Sequence, residues 1–545
     1  MLTITGQSIS SELAIGMIRF YRHKKTIIND AVAADPDAEL SRYQVAYHTA
    51  MEQLQLLHDR TAEQIGTEEA AIFEMHRMLL SDRQFHHAIL HSIIQDHKTA
   101  EYAIYSVGEE LWNRFIHMED PYLQARGADI QDIMNRLLFL LSGKKESSMD
   151  ATEPFILMAE DLSPSETVQL NSSKLLGFIT RQGSPYSHTA ILAKTMNIPA
   201  LMHIDIEEAW DGHLAIIDGE KQCLYIDPSE ELIAEYQLKQ ASIEQKRTEL
   251  QALKTLPAVT ADGHSIALYA NINAPADIEN AISQGAEGIG LFRSEFLYLN
   301  AQEYPDEEVQ YHIYRRVLEQ MPGKHIVIRT LDLGADKKSP YLALEPEENP
   351  ALGYRAIRIC LSRPELFKVQ LRALLRASAH GELHIMFPMI TSLWEVQRTK
   401  EMVEECKTEL CTEHIAHGNP ILGIMIETPA AVMIAEDLAV EVNFFSIGTN
   451  DLAQYTLALD RNNARLHDFY DPHHPALIRM IRMVVEAAHK HSIPVSICGE
   501  SGADLTLTRA FMEMGIDSLS VAPNALLPLK KAIREISLDH PASDR

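Results

Sequence analysis

The spacing of apolar positions changes several times along the chain, and each change marks a boundary. Residues 1–20 read as a short strand region. Between Asp37 and Ser142, Leu40, Tyr43, Val45, Tyr47, Met51, Leu54 and Leu57 recur at three- and four-residue steps. So do Ala71, Met75, Met78 and Leu79, and later Ile130, Ile133, Met134, Leu137 and Leu138. Residues at that spacing share one face of a helix, so the stretch predicts a bundle of about four or five helices. Polar Gly143–Pro154 reads as a linker. Short β-type runs follow at Phe155–Ala159, Leu175–Ile179, Leu214–Ile217 and Cys223–Ile226, with a helix near 189–196. Together with the amino terminus they predict one α/β domain built from residues 1–30 and 143–227, interrupted by a helical insert at 31–142. Charged Glu230 to Leu253 predicts a long helix inside a connector spanning 228–257.

From Ala258 onward, apolar strands alternate with amphipathic helices. The runs Ile266–Ala270, Gly288–Leu291, Ile326–Ile328, Leu383–Phe387, Ile421–Ile426, Phe444–Ile447, Val495–Ile497 and Ser518–Val521 are eight candidate strands. Over residues 258–545 they predict a (β/α)8 barrel of the TIM type, in a multidomain α/β chain. An open doubly wound sheet is the alternative. It is disfavoured because Gly288-Ile-Gly290-Leu-Phe-Arg293 lacks the third glycine of a dinucleotide fingerprint.

Catalytic groups of such barrels stand at the carboxyl ends of strands. That rule selects Arg293, Arg329, Glu427, Asn450, Asp451 and Cys498, with Lys337 and Arg461 a short way downstream. Several guanidinium groups at one rim fork onto phosphate and carboxylate oxygens. Glu427 and Asp451 are hard oxygen ligands of the kind that hold Mg2+, which with nearby cations stabilises charge on a transferring phosphoryl group. Cys498 suits proton exchange with an enolate, and taken alone it reads equally as a small buried hydrophobe. A second constellation is Gly183-Ser-Pro-Tyr-Ser-His188-Thr-Ala-Ile-Leu-Ala-Lys194. Its turn leads into helical spacing, so His188 sits at a helix amino terminus, where free N–H groups favour an anion such as a phosphorylated imidazole. A helix-capping or packing role is the other reading.

Composition narrows the classes. At 46% hydrophobic and 23% charged, the 545 residues are too apolar for disorder. Lys and Arg number 48 against 77 Asp and Glu, and the resulting charge of −29 argues against general nucleic-acid binding. No stretch approaches the ~20 apolar residues of a membrane helix. Met1 to Phe20 shows no secretory signal, and five cysteines without a CxxC pair fit reduced thiols in a cytoplasm. The adjacent pairs His86-His87 and His473-His474 read as solvated residues rather than metal ligands.

Several motifs carry a resemblance. Ser187-His188-Thr189 with Ile191-Leu-Ala193 resembles the phosphohistidine signature of phosphoenolpyruvate (PEP)-utilising enzymes. Gly448-Thr-Asn-Asp-Leu-Ala-Gln-Tyr455 followed by Asp460-Arg461 resembles their barrel signature. Ile328 to Lys337, Asn349-Pro350, Gly353 to Arg358 and Ile497-Cys-Gly-Glu500 extend the match, and Ile72 to Leu80 is similar to a phosphocarrier-binding subdomain. Over essentially the full chain the sequence resembles the Enzyme I family of the bacterial phosphotransferase system, the PEP–protein phosphotransferases.

The resemblance implies roles. His188 accepts the phosphoryl group of PEP and passes it to a histidine of the carrier HPr, starting sugar uptake. Glu427 and Asp451 hold Mg2+; Arg293, Arg329, Lys337, Arg355, Asn450, Asp451 and Arg461 bind PEP; Cys498 protonates the enolate to give pyruvate. It also implies a swivelling phosphohistidine domain, an HPr-binding helical insert and a homodimer formed through the barrel. Ser184, Pro185, Tyr186 and Lys194 depart from the family's usual residues, and a paralogue serving a different, nitrogen-type carrier is the second reading. PEP synthases and pyruvate-phosphate dikinases share both signatures, but they need an ATP-binding domain for which these residues leave no room. A non-catalytic PEP- or HPr-binding protein would not need His188, Glu427 and Cys498 together. A lone barrel lyase leaves residues 1–257 unexplained.

Overall fold

A computed structural model describes residues 1–21, 28, 30–64, 67–117, 127–143, 153–160, 162, 174–181, 190, 193, 198–299, 301, 303–334, 344–345, 347–461 and 463–538. His188, its neighbours Ser184, Pro185, Tyr186 and Lys194, and Lys337 lie outside them, as does most of the helix expected near 189–196. The chain forms two compact units, 1–244 and 245–545. Among the described residues no helix is long and apolar enough to cross a membrane.

In the first unit, β1 (Leu2–Thr5), β2 (Gln7–Ser8), β3 (Leu13–Tyr21), β4 (Phe155–Ala159), β5 (Leu175–Thr180), β6 (Ala200–Met202), β7 (Leu214–Asp218) and β8 (Cys223–Ile226) build one sheet in the order β1-β8-β7-β3-β4-β5-β6-β2. β3 pairs in parallel with β4, from Met17 opposite Phe155 to Tyr21 opposite Ala159. The chain therefore leaves the sheet after β3 and re-enters beside it, and the helices between are an insertion into its topology. Every residue of β4 is buried, as an apolar run covered on both faces must be. β6 is a strand that periodicity does not announce, because three residues are too few to show one.

The insertion holds α1 (Pro36–Gln64), α2 (Thr67–Leu80), α3 (Arg83–Ile94), α4 (Ala100–Ile116) and α5 (Gly127–Leu141). Tyr43, Leu54, Phe73, Ile89, Ile104 and Leu137 meet in its core. Asp82 and Thr99 cap α3 and α4 by accepting from the N–H groups of Phe85 and Tyr102. A polar cluster lies inside: fully buried His76 is 3.2 Å from Asp129 and 3.3 Å from Asp132, both also buried. Burial opposes a charge on His76, but the two carboxylates outweigh it and hold the imidazole protonated up to about pH 9.

α6 (Glu230–Ala252) follows the sheet, and the boundary between the units falls within it. Its first turns are fixed by buried Tyr236, whose hydroxyl donates to Asp218 Oδ2 at 2.7 Å. Asp218 also accepts from the N–H of Lys221 at 3.0 Å, so one buried carboxylate ties the helix to the end of β7.

In the second unit β9 (Ala267–Ile272), β10 (Gly288–Arg293), β11 (His325–Arg329), β12 (Leu383–Phe387), β13 (Ile421–Ile426), β14 (Phe445–Ile447), β15 (Val495–Ile497) and β16 (Ser518–Val521) close into a parallel barrel. Helices α7 (Glu307–Gln320), α8 (Pro364–Ala377), α9 (Leu393–Thr412), α10 (Thr449–Thr456), α11 (Pro475–Lys490), α12 (Leu505–Met514) and α13 (Leu526–Glu535) accompany it. Ile326, Ile328, Ile385, Ile424 and Ile426 join the large core shared with the helices. The alternate set, Leu291, Val327, Met386, Met425, Phe444 and Cys498, forms a separate buried cluster inside the barrel. This is the two-residue period of a strand read on both of its faces.

The His76 cluster gives a signed pH dependence. Its folded pKa lies above the ordinary 6.5, so its contribution is complete below that value and is lost as pH rises to about 9. We expect the protection of amides in 36–141, taken relative to the intrinsic exchange rate at each pH, to fall over that interval in the native protein, and His76→Gln to remove the fall; protection that is flat between those limits contradicts it.

Candidate active site at the carboxyl end of the barrel

Arg293 is the last residue of β10 and Arg329 the last of β11, and they stand opposite each other in the strand register. Arg293 is exposed, with Nη1 donating to Asn273 Oδ1 at 3.1 Å. Arg329 is buried and held from two sides: Nη2 bonds Glu295, and Nη1 lies 3.0 Å from Asp332 Oδ2. The other oxygen of Asp332 takes Arg355 Nη2 at 2.7 Å. One buried carboxylate thus spaces two buried guanidinium groups. Burial opposes the charge on both arginines, but these carboxylates more than offset it. The Nε atoms of Arg329 and Arg355 have no hydrogen-bond partner among the described residues.

Glu427 follows β13 directly and is buried. Its Oε1 accepts from the N–H of Met389 at 2.6 Å. Met389 supplies that N–H from φ +58°, a left-handed conformation that costs a branchless L-residue about 1 kcal/mol or more. Burial raises the Glu427 pKa, and the charges of Asp451 and Asp332 push the same way, against Arg329, to about 8. Asp451 is buried at the start of α10, just beyond β14. Gly448 makes the approach possible, since a Cβ there would meet Glu427 Oε2 at 2.9 Å.

Asn450 and Glu500 bond reciprocally. Asn450 Nδ2 donates to Glu500 Oε1 at 2.9 Å, and the N–H of Glu500 donates to Asn450 Oδ1 at 2.9 Å. That exchange joins the rims of β14 and β15, and Gly499 beside it leaves no space for a Cβ against Thr449. Cys498 directly follows β15 and is buried in the barrel's inner cluster. Burial raises its thiol pKa to about 11, with the Glu427 charge adding to the rise and Arg329 and Arg293 opposing it. Arg461 is exposed, with its N–H donating to Gln454 Oε1 at 3.1 Å, and its charge reaches the hydroxyl of Tyr470 together with that of Asp451.

Arg293, Arg329, Arg355, Glu427, Asp451 and Cys498 therefore share one end of the barrel, with Asn450 and Arg461 at its margin. Sequence reasoning passed over Glu295 and Asp332, the carboxylates that fix the arginines. Glu295 is marked only by its position two residues after Arg293; Asp332, three after Arg329, lies inside the motif Ile328 to Lys337 but carries no assigned role there. The group can bind an anion through guanidinium forks, gather a divalent cation between two carboxylates, and keep a thiol protonated near neutral pH.

Three family descriptions match the chain: "PEP-utilising enzyme, N-terminal" at residues 5–126, "PEP-utilising enzyme, mobile domain" at 151–222, and "PEP-utilising enzyme, PEP-binding domain" at 247–538. A phosphoenolpyruvate-protein phosphotransferase of Bacillus sp. (strain S) is 40% identical over 544 residues, covering 99% of this chain and 94% of the relative. The protein of that name from Haemophilus influenzae is 40% identical over 98% of this chain and 94% of its own length. The one from Bacillus subtilis is 38% identical over 98% and 95%.

The Glu427 environment yields a stability prediction. Its folded pKa is raised, so stability is full below the ordinary 4.5 and falls as pH rises to about 8. In chelator-treated protein, Glu427→Gln should raise Tm at pH 8 by about 2 °C or more and leave it nearly unchanged at pH 5. A lower Tm for the variant at pH 8 would contradict the reading.

Proposed function

The chain belongs to the PEP-utilising enzymes, and on that premise we propose that it is a phosphoenolpyruvate–protein phosphotransferase. The observation that carries the reading is the meeting of held guanidinium groups, a buried carboxylate pair and a protonated thiol at one barrel end. A small polyanion that carries both a phosphate and a carboxylate, and whose carbon skeleton leaves as an enolate, uses all three.

Arg329 and Arg355 bind those oxygens with forks already fixed by Glu295 and Asp332, so little side-chain entropy is lost on binding. Arg293, Lys337, Asn450 and Arg461 complete the anion site. Glu427 and Asp451 fit a divalent cation, because the Asp451 charge raises the cost of a charge on buried Glu427. They would hold Mg2+, which when bound supplies positive charge opposite the transferring phosphoryl group.

His188 Nε2 attacks phosphorus. The P–N bond forms as the P–O bond to the enolate breaks, and the electron pair stays on the enolate oxygen. The Cys498 thiol gives its proton to the methylene carbon, forming pyruvate, and solvent reprotonates the thiolate. A thiol held up near 11 is present as S–H at neutral pH, as this step requires. The phosphohistidine then serves a histidine of HPr bound at the helical insert. We assign residues 1–30 and 143–227 to the phosphohistidine domain, 31–142 to the carrier-binding insert, 228–257 to the connector and 258–545 to the PEP-binding barrel. We assign dimerisation to the barrel. We place the enzyme in the cytoplasm.

Incubation with labelled PEP and Mg2+, without nucleotide, should give an acid-labile, base-stable label that is absent in His188→Ala; no label in the native protein sinks the proposal. Cys498→Ala should slow pyruvate formation by about 10²-fold or more and leave phosphoryl exchange between His188 and the carrier nearly intact. Equal loss in both halves would show the thiol is not the proton donor. Chelation should block only the half-reaction with PEP. Offering HPr and a nitrogen-type carrier separately identifies the acceptor: preference for the second would replace HPr in this account.

A further inference from the structure

At the opposite, amino-terminal end of the barrel lie three residues that this chemistry does not use. His325 opens β11, Glu382 immediately precedes β12, and His384 is the second residue of β12. One ligand atom from each lies within 4.8 Å of the other two. His384 Nε2 is 3.1 Å from Glu382 Oε1, and the two imidazole rings stand 4.0 Å apart, tilted by 55°.

The strand period explains the meeting. His325, Val327 and Arg329 alternate along β11, so one strand face carries an imidazole, then an apolar layer, then a guanidinium of the active site. Val327 and Met386 pack with Leu291 and Met425 and separate the histidines from the carboxyl end. His384 is only 7% exposed, and its Nδ1 has no hydrogen-bond partner among the described residues. Tyr269 stacks on His325 at 4.5 Å, and Phe444 meets His384 edge-on at 5.5 Å. Protein groups thus leave this polar cluster incompletely satisfied inside an aromatic wall.

We propose that His325, His384 and Glu382 form a binding site for one zinc-type divalent transition-metal ion at the amino-terminal end of the barrel. Two imidazoles and a carboxylate are a donor set for Zn2+ rather than for Mg2+, which takes oxygen ligands. Ligands ~2.1 Å from a tetrahedral ion stand ~3.4 Å from one another; the His384–Glu382 pair stands at 3.1 Å, and the His325 ligand atom lies within 4.8 Å of both. Burial lowers the pKa of both histidines, His325 to about 4, so both are neutral and can donate a lone pair at physiological pH. Since this end of such barrels carries stability rather than chemistry, the ion would clamp β11 to β12.

The test uses the chelator-treated full chain, titrated with Zn2+ and in parallel with Co2+. With the Glu427–Asp451 pair occupied by excess Mg2+, one equivalent should bind, with the visible bands of four-coordinate cobalt and no thiolate charge-transfer band. His384→Gln should abolish binding. Glu382→Gln should weaken it by about tenfold or more, together with the Tm gain that Zn2+ gives the native protein. Glu382 is more than half exposed, so its variant keeps the test decisive if the histidine variant fails to fold. Glu427→Gln should bind as the native protein does, as should Cys411→Ser, which addresses the competing contact of Cys411 Sγ with His417 Nε2 at 3.2 Å. The proposal is overturned by no stoichiometric binding, by undiminished binding in Glu382→Gln, or by binding lost in Cys411→Ser or Glu427→Gln.

Discussion

Glu295, Asp332, Glu427, Asp451, Arg329 and Arg355 are all buried at one end of the barrel, where water cannot screen them. Charges taken out of water must be balanced by neighbours or shed by a change of protonation. Here the balance is uneven. Asp332 is shared between two guanidinium groups, whereas Glu427 has one backbone N–H and faces two other carboxylates. The arginines are stabilised as cations. The carboxylate pair remains short of positive charge.

That imbalance is what makes the site a site. A chain of −29 net charge would repel a small polyanion, so attraction must come from a few cations kept in place at short range. Salt bridges spend part of each guanidinium's hydrogen-bonding capacity on Glu295 and Asp332 and leave the Nε atoms without a partner among the described residues. The strained backbone at Met389 and the glycine at 448 belong to the same arrangement, since both bring groups into contact with Glu427. Stability is given up at this end for preorganisation.

The barrel was legible because each strand is an apolar run bounded by polar turns, and strand ends alone pointed to Arg293, Arg329, Glu427, Asp451 and Cys498. Other features were not, for identifiable reasons. A carboxylate that latches an arginine looks in sequence like any solvated one, which hid Glu295 and Asp332. The Met389 contact is made by a backbone N–H, and no residue type announces it. His325 and His384 are far apart in the chain and meet only through the parallel register of β11 and β12. Adjacent pairs such as His86-His87 drew notice instead, because sequence displays neighbours and conceals convergence.

We propose that this charge arrangement supports reversible phosphoryl transfer between PEP and His188 with Cys498 as the proton carrier. Exchange of labelled pyruvate into unlabelled PEP, catalysed by the protein and Mg2+ alone, tests it most directly. Exchange should need neither nucleotide nor carrier and should be abolished in His188→Ala. Exchange that persists without His188, or that appears only when ATP is added, would contradict it.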